Sequence, residues 1–406
     1  MRFPFSLSMM RVAVVLSTVS SARVMGRVFT IGIVCAALAG CAGLRLSGSF
    51  RSAEDDWTMQ GGSPGRHHRV ANLPELPWKR LWEYNAQGGI LASPLVRDSI
   101  AIVATLHGEI QAVDLRSGKR LGYEKLGSPI SGTPALNGVT VIVPLSTENG
   151  SVVAFDLREN RKLWKATVGP VGSGILLNGA HVYVATLEGR VICLDSRTGE
   201  ERWRFNVGAR ADRKPLRSTP ALEGTTLVVG SDDGSLVGIE TRNGSQLWRH
   251  ASPASIFAGP VIANGIAVAG DLRGNVLAVD VATGAVRWRR DAGAAIYGGA
   301  ATDGATIYLP TAAGRLLALD AVTGDVRWSY VGSSVMNAAP LIAGNRILVG
   351  SLDRSVAIVD AATGALVDKI VVEGRVKVTP VVWRGMVLVT YEDKFVAAYI
   401  HAGDGS

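Results

Sequence analysis

The sequence predicts an all-β chain folded as an eight-bladed β-propeller of four-stranded antiparallel blades. Three observations carry this expectation. A turn of the form Asp-x-x-Thr-Gly, or a close variant, recurs from Asp114, Asp156, Asp195, Glu240, Asp280, Asp320 and Asp360. A proline or small residue opens eight units, at Pro94, Pro134, Gly174, Pro220, Pro260, Ala300, Pro340 and Pro380, spaced by 40 residues except for one interval of 46. The last unit ends after three strands' worth of sequence, at Lys394–Tyr399, and Trp78–Tyr84 at the other end can supply the missing outer strand. Joining the two chain ends in one blade removes free sheet edges.

Each unit reads as four short strands. In the unit opened by Pro260, the strands are 260–263, 266–270, 275–280 and 285–289, separated by Asn264-Gly265, Asp271–Gly274 and the Asp280–Gly284 turn. Asn-Gly pairs suit hairpin turns with positive φ. The turn aspartate can accept hydrogen bonds across the turn, and its glycine supplies a left-handed residue. A tryptophan follows the acid by eight residues at Trp164, Trp203, Trp248, Trp288 and Trp328. Trp82 takes the same place in the composite blade. Because these six recur with the blades, we read them as structural docking residues, lying against the neighbouring blade and donating the indole N–H.

Composition supports a large packed domain. Of 406 residues, 47% are hydrophobic and 19% charged, which argues against disorder. The net charge of +8 includes Arg2, Arg11, Arg23 and Arg27 in a segment without lysine or acid; without them, 38 basic residues face 34 acidic ones. The basic residues are scattered, which argues against a nucleic-acid partner. Three cysteines, Cys35, Cys41 and Cys193, exclude a disulfide framework and a cysteine-based zinc site, and Cys193 reads as a buried strand residue. The six histidines show no metal-ligand spacing; His67-His68 reads as solvated. Asp232-Asp233-Gly234 lacks the distal glutamate of a calcium loop and reads as a turn. No catalytic constellation, phosphate loop or metal site emerges.

The amino terminus predicts export. Arg27 precedes an apolar run at 28–39, and Leu38-Ala39-Gly40-Cys41 resembles a bacterial lipobox. Residues 1–40 are the expected signal peptide, with Met25 as a candidate true start, and Cys41 is the expected lipidation site. Ala42 in place of aspartate favours the outer membrane by the sorting rule of such lipoproteins. Residues 41–75 are expected to be a flexible lipid-anchored tether, 76–402 the propeller and 403–406 a tail.

The units resemble the PQQ-type propeller repeat. Ala278–Trp288 and Ala318–Trp328 carry its Ala-x-Asp-x-x-Thr-Gly-x-x-x-Trp pattern in full, and Asp56–Gly62 looks like the usual lead-in. Quinoprotein alcohol dehydrogenases share such blades, but with an adjacent-cysteine disulfide that has no counterpart here. A single eight-bladed domain behind a lipobox resembles the BamB family of outer-membrane assembly lipoproteins. The long interval places extra residues at Val207–Arg217, where that family has a loop with a Leu-Arg pair. The resemblance therefore implies Leu216 and Arg217 as partner-binding residues. The family's next loop carries acids, whereas Ser252–Gly259 has none. What the resemblance implies is a non-enzymatic scaffold without cofactor on the periplasmic face of the outer membrane. Its partners would be the β-barrel assembly insertase and unfolded barrel proteins. Alternatives are a propeller binding a small ligand or quinone, and a generic envelope interaction protein.

Overall fold

Alternating apolar runs broken by Asn-Gly, Asp-x-x-Gly and Asp-x-x-Thr-Gly turns fold into four strands per repeat. The computed structural model describes residues 43–44, 46, 53, 56–147, 150–208, 213–392 and 394–404. Cys41, the expected signal peptide and Met25 lie outside the described residues, as does the end of the tail. Among the described residues there is no α-helix. In the blade opened by Pro260 the strands are Val261–Ala263, Ile266–Gly270, Asn275–Asp280 and Val286–Asp291, from the central channel outward. The middle two are almost wholly buried and the outer one alternates, as expected when only the outermost strand meets solvent.

The eight-bladed expectation holds, including the composite blade. Val381–Trp383, Met386–Tyr391 and Phe395–His401 pair in sequence, and Trp78–Asn85 completes the sheet. Trp82 lies opposite Ala398 there, as Trp288 lies opposite Ala278 in a regular blade.

One contact joins consecutive blades. The indole N–H groups of Trp82, Trp164, Trp203, Trp248, Trp288 and Trp328 donate to the carbonyls of Leu115, Ser196, Thr241, Val281, Ala321 and Ala361, at 2.7–3.1 Å. Each acceptor directly follows the turn acid of the next blade. The turn glycine of that blade lies on the indole: a Cβ at Gly324, where φ is +76°, would approach the Trp288 ring to 2.6 Å. Glycine is therefore required twice at this position, for its backbone angle and for the close approach. The turn acid is held in place by its own loop. The Thr283 N–H, the Arg287 guanidinium and the Thr283 hydroxyl bring the Asp280 carboxyl down to about 2.

The seam between the first two blades lacks this contact, because Gly122 stands at the tryptophan position and Asn160 at the turn-glycine position. The amino-terminal chain fills it. The Leu46 N–H donates to Leu157 O at 2.7 Å, the carbonyl that an indole would otherwise engage. Leu44 and Leu46 are buried among Leu95, Ile102 and Leu157. A Cβ at Gly122 would lie 3.0 Å from Gly43 O. With no ring above it, the turn position accepts Asn160 at φ +53°, a residue that tolerates the left-handed region.

The expected flexible tether does not hold for residues 56–70, which wind around one end of the channel. Val96, Leu136, Leu222, Ile262, Thr302 and Ile342 each stand two residues after a unit's opening residue. Their N–H groups donate to the carbonyls of Trp57, Thr58, Pro64, Gly65, His67 and His68, at 2.8–3.1 Å. Arg69–Val70 then adds a parallel strand to Leu341–Ala343. Asp56 pairs with Arg97 at 3.3 Å, both nearly buried, and Trp57 forms an antiparallel bridge with Val96. Composition suggested a solvated linker here because the segment is recognised through its backbone. A run rich in glycine and polar residues can supply carbonyls without any apolar pattern.

Two outcomes test these contacts. Trp288→Phe keeps most of the packing but loses one donor and should cost about 1 kcal/mol, against about 3–5 kcal/mol for Trp288→Ala, read from urea midpoints. Equal costs would remove the indole hydrogen bond from the account. Leu44→Ala should destabilise by about 2 kcal/mol or more, like a core leucine; no shift in the urea midpoint would mean that the seam closes without the amino-terminal segment.

Candidate functional site: the mouth of the central channel

The repeat places equivalent residues at equal heights along the channel. One residue before each opening residue is a column of small side chains: Ser93, Thr133, Ser173, Thr219, Gly259, Gly299, Ala339 and Thr379. Two residues further back stand Leu91, Ser131, Val171, Arg217, Phe257, Tyr297, Asn337 and Lys377. Six of this second column, all but Ser131 and Val171, line a cavity of about 130 Å³ together with seven of the first, all but Ser173. The other end is closed by the amino-terminal segment, which contributes Gln60 and Arg66 to the same cavity.

Within this mouth Leu91 and Tyr297 are each 47% exposed, large apolar surfaces that the fold leaves uncovered. Arg217 forms an ion pair with Asp232, and its guanidinium lies 5.2 Å from the centre of the Phe257 ring. The pair is half open to solvent on the arginine side. Cation–π contact and ion pair together fix the orientation of an otherwise long and mobile side chain. Among the described residues three cations line the cavity (Arg66, Arg217 and Lys377) and no carboxylate does.

The two residues expected to bind a partner separate here. Leu216 is fully buried and its N–H donates to Thr186 O at 3.0 Å. It packs in the cluster that includes Val184, Val207 and Val229, so its side chain offers a partner no surface. Arg217 faces the mouth. Adjacent residues of an extended segment point to opposite sides, which splits the pair into one core residue and one surface residue. Asp232, read from sequence as part of a turn, is what holds Arg217. Phe257 belongs to the loop Ser252–Gly259, whose missing acids are replaced in this contact by an aromatic face. The column containing Phe257 and Tyr297 was readable from the 40-residue period. Arg66 carried no such signal, because it lies outside the repeat.

Arg66 is 2% exposed, and burial brings its guanidinium down to about 10, so it remains charged at neutral pH. His68 is also buried rather than solvated. Burial first, then the charges of Arg66 and His67, hold it well below the usual histidine range. Its ring lies 6.2 Å from that of Trp57. Cys193 is buried, and its thiol is pushed up to about 12 by burial. Among the described residues no group of three or more His, Cys, Asp or Glu could hold a metal ion.

Fold and repeat define the class: an eight-bladed propeller of PQQ-like repeats. The family model described as outer membrane protein assembly factor BamB matches residues 148–295 and 272–367, together more than half of the chain, and the chain belongs to that family. Outer membrane protein assembly factor BamB of Burkholderia pseudomallei (strain K96243) is 29% identical over 135 residues, covering 32% of this chain and 35% of that protein. The 1-butanol dehydrogenase (cytochrome c) of Thauera butanivorans is 27% identical over 178 residues, covering 42% of this chain and 21% of that protein. The matched stretches thus span about a third or less of these relatives' own length. The crystal structure of BamB from Moraxella catarrhalis superposes with a TM-score of 0.67 at 17% identity, covering 80% of this chain and all of that one.

The buried histidine gives the fold a pH signature. In the unfolded chain His68 titrates near its ordinary 6.5, whereas in the fold it stays neutral far lower. As pH falls below about 6.5 the unfolded state takes up a proton that the folded state refuses, so stability declines. His68→Phe should flatten the decline in urea midpoint between about pH 7 and about pH 5. Parallel profiles for the two proteins would contradict this assignment.

Proposed function

We propose that this chain is a lipoprotein scaffold in the assembly and insertion of β-barrel proteins at the outer membrane. It is anchored through Cys41 on the periplasmic face and works without cofactor or covalent chemistry of its own. Its partners are the barrel insertase and, through it, unfolded barrel proteins. The observation that carries the reading is family membership coupled to the geometry of Arg217. The long interval of the repeat ends on an arginine held at the channel mouth by Asp232 and Phe257. Arginine beside exposed aromatic and apolar side chains is the composition of an interface hot spot. Leu216 supports this contact from beneath, as a core residue that fixes the segment carrying Arg217.

The experiment is chemical cross-linking and affinity recovery from envelope membranes. Arg217→Ala and Phe257→Ala should each reduce recovery of the insertase, with a hot-spot loss of about 2 kcal/mol lowering affinity roughly 30-fold, while the melting temperature of the propeller stays within a few degrees. Undiminished recovery from both variants would exclude the mouth as the contact. A quinone enzyme, the reading raised by the dehydrogenase relative, would instead reveal itself by quinone absorbance in the purified protein.

A further inference from the structure

We propose that the central channel is a binding site for a small anion, of the oxyanion or carboxylate class, held on the guanidinium of Arg66. The amino-terminal segment closes the channel and sends this side chain up its axis. Arg66 Nη1 donates to the carbonyls of Thr219 and Pro260, each at 3.2 Å. Nε is buried without a partner, and among the described residues no carboxylate pairs with Arg66. A guanidinium has five N–H donors. One nitrogen shared between two neutral carbonyls leaves most of that capacity unused, in a place where an uncompensated charge costs several kcal/mol. A bound anion would supply the missing countercharge.

The surroundings are shaped for this. The small-residue column carries hydroxyls at Ser93, Thr133, Thr219 and Thr379 but glycine at 259 and 299. A Cβ at Gly259 would lie 1.6 Å from Arg66 Nη1, and one at Gly299 would lie 3.1 Å from Nη2. The repeat has given up its side chains at the two blades where the guanidinium sits. Ser93 donates its hydroxyl to Thr379 O and Thr219 its hydroxyl to Gln60 Oε1, so the hydroxyls that can turn a donor toward an anion are those of Thr133 and Thr379. Arg217, ion-paired with Asp232, and Lys377 stand at the entrance, and no carboxylate is among the described residues of the lining. The cavity of about 130 Å³ corresponds to roughly four water volumes at about 30 Å³ each. That admits phosphate, sulfate or a short carboxylate. This site is independent of the assembly role, because it depends on the channel interior and not on the partner.

The test is titration of the full chain with inorganic phosphate, and separately with acetate, at constant ionic strength set by chloride. Calorimetry and thermal unfolding are the readouts. Saturable binding with one site per chain is expected for at least one of the two, with a melting temperature that rises as the logarithm of ligand above saturation. Stronger binding of phosphate assigns the oxyanion class, and stronger binding of acetate the carboxylate class. Arg66→Gln should weaken binding at least tenfold. Should that variant fail to fold, Lys377→Gln at the entrance should weaken binding severalfold with the melting temperature of the unliganded protein unchanged. Absence of saturable binding to the unaltered chain by either anion up to about 10 mM, which is weaker than about −2.7 kcal/mol, overturns the proposal. So does equal affinity in a folded Arg66→Gln variant.

Discussion

The contact on which the architecture depends is the indole of one blade lying on the turn glycine of the next, with its N–H bonded to the carbonyl after the turn acid. A blade alone is a small sheet with two apolar faces and cannot be stable in water. The ring exists because each blade buries a face against its neighbour, and the tryptophan sets the register of that burial. The buried ring supplies the area, and the hydrogen bond supplies direction. Since the acceptor is a backbone carbonyl, the contact constrains few side chains, and the rest of each blade is free to vary.

The contact is missing at two seams, where Gly122 and Asp368 stand at the tryptophan position, and at the first of them the amino-terminal chain takes its place. At the seam where the tryptophan is Gly122, Leu44 and Leu46 provide the apolar volume and the Leu46 N–H provides the donor. Asn160 replaces glycine there because nothing as thick as an indole lies over it. In the eighth blade the outer strand itself comes from the amino-terminal side, and Trp82 restores the usual contact with Leu115. The same stretch of chain, between these two points, winds around the channel and accepts an N–H from six of the eight blades. The residues before the first repeat are thus a part of the closure, engaged at the outer seam, at the channel end and in the final sheet.

Legibility followed periodicity. The six docking tryptophans, the eight units and the composite blade were readable because each is marked by a residue type that returns every 40 positions or by its absence at an end. Cys193 was readable from strand alternation. Packing of 56–70 was not, because its partners are backbone groups and its own composition is that of a linker. The burial of Leu216 was not legible for a different reason. A resemblance carries a pair of positions without carrying their burial, and one of two neighbouring residues in an extended segment must face inward. Phe257 and Tyr297 show the converse. They stand in the same column as Arg217, so the period that located the blades also located them once the height of that column was known.

The distribution of variation along each inner strand then follows from what each position touches. Two residues after the unit's opening residue, the side chain is core and in six of the eight blades the N–H is committed to the amino-terminal segment, so the position is apolar in all but one blade (Thr302). At the small-residue column eight strands converge, and steric crowding admits only glycine, alanine, serine and threonine. Two residues nearer the mouth the segments have diverged, and most of these positions are partly open to solvent, with Val171 still buried. There the column holds leucine, serine, valine, arginine, phenylalanine, tyrosine, asparagine and lysine. Apart from Val171, no packing requirement explains that diversity, and an unconstrained surface would not bring an arginine, an aromatic ring and a largely covered carboxylate into one contact. The chain closes one end of its channel with its own backbone, and so the side chains left open to solvent around the channel gather at the other.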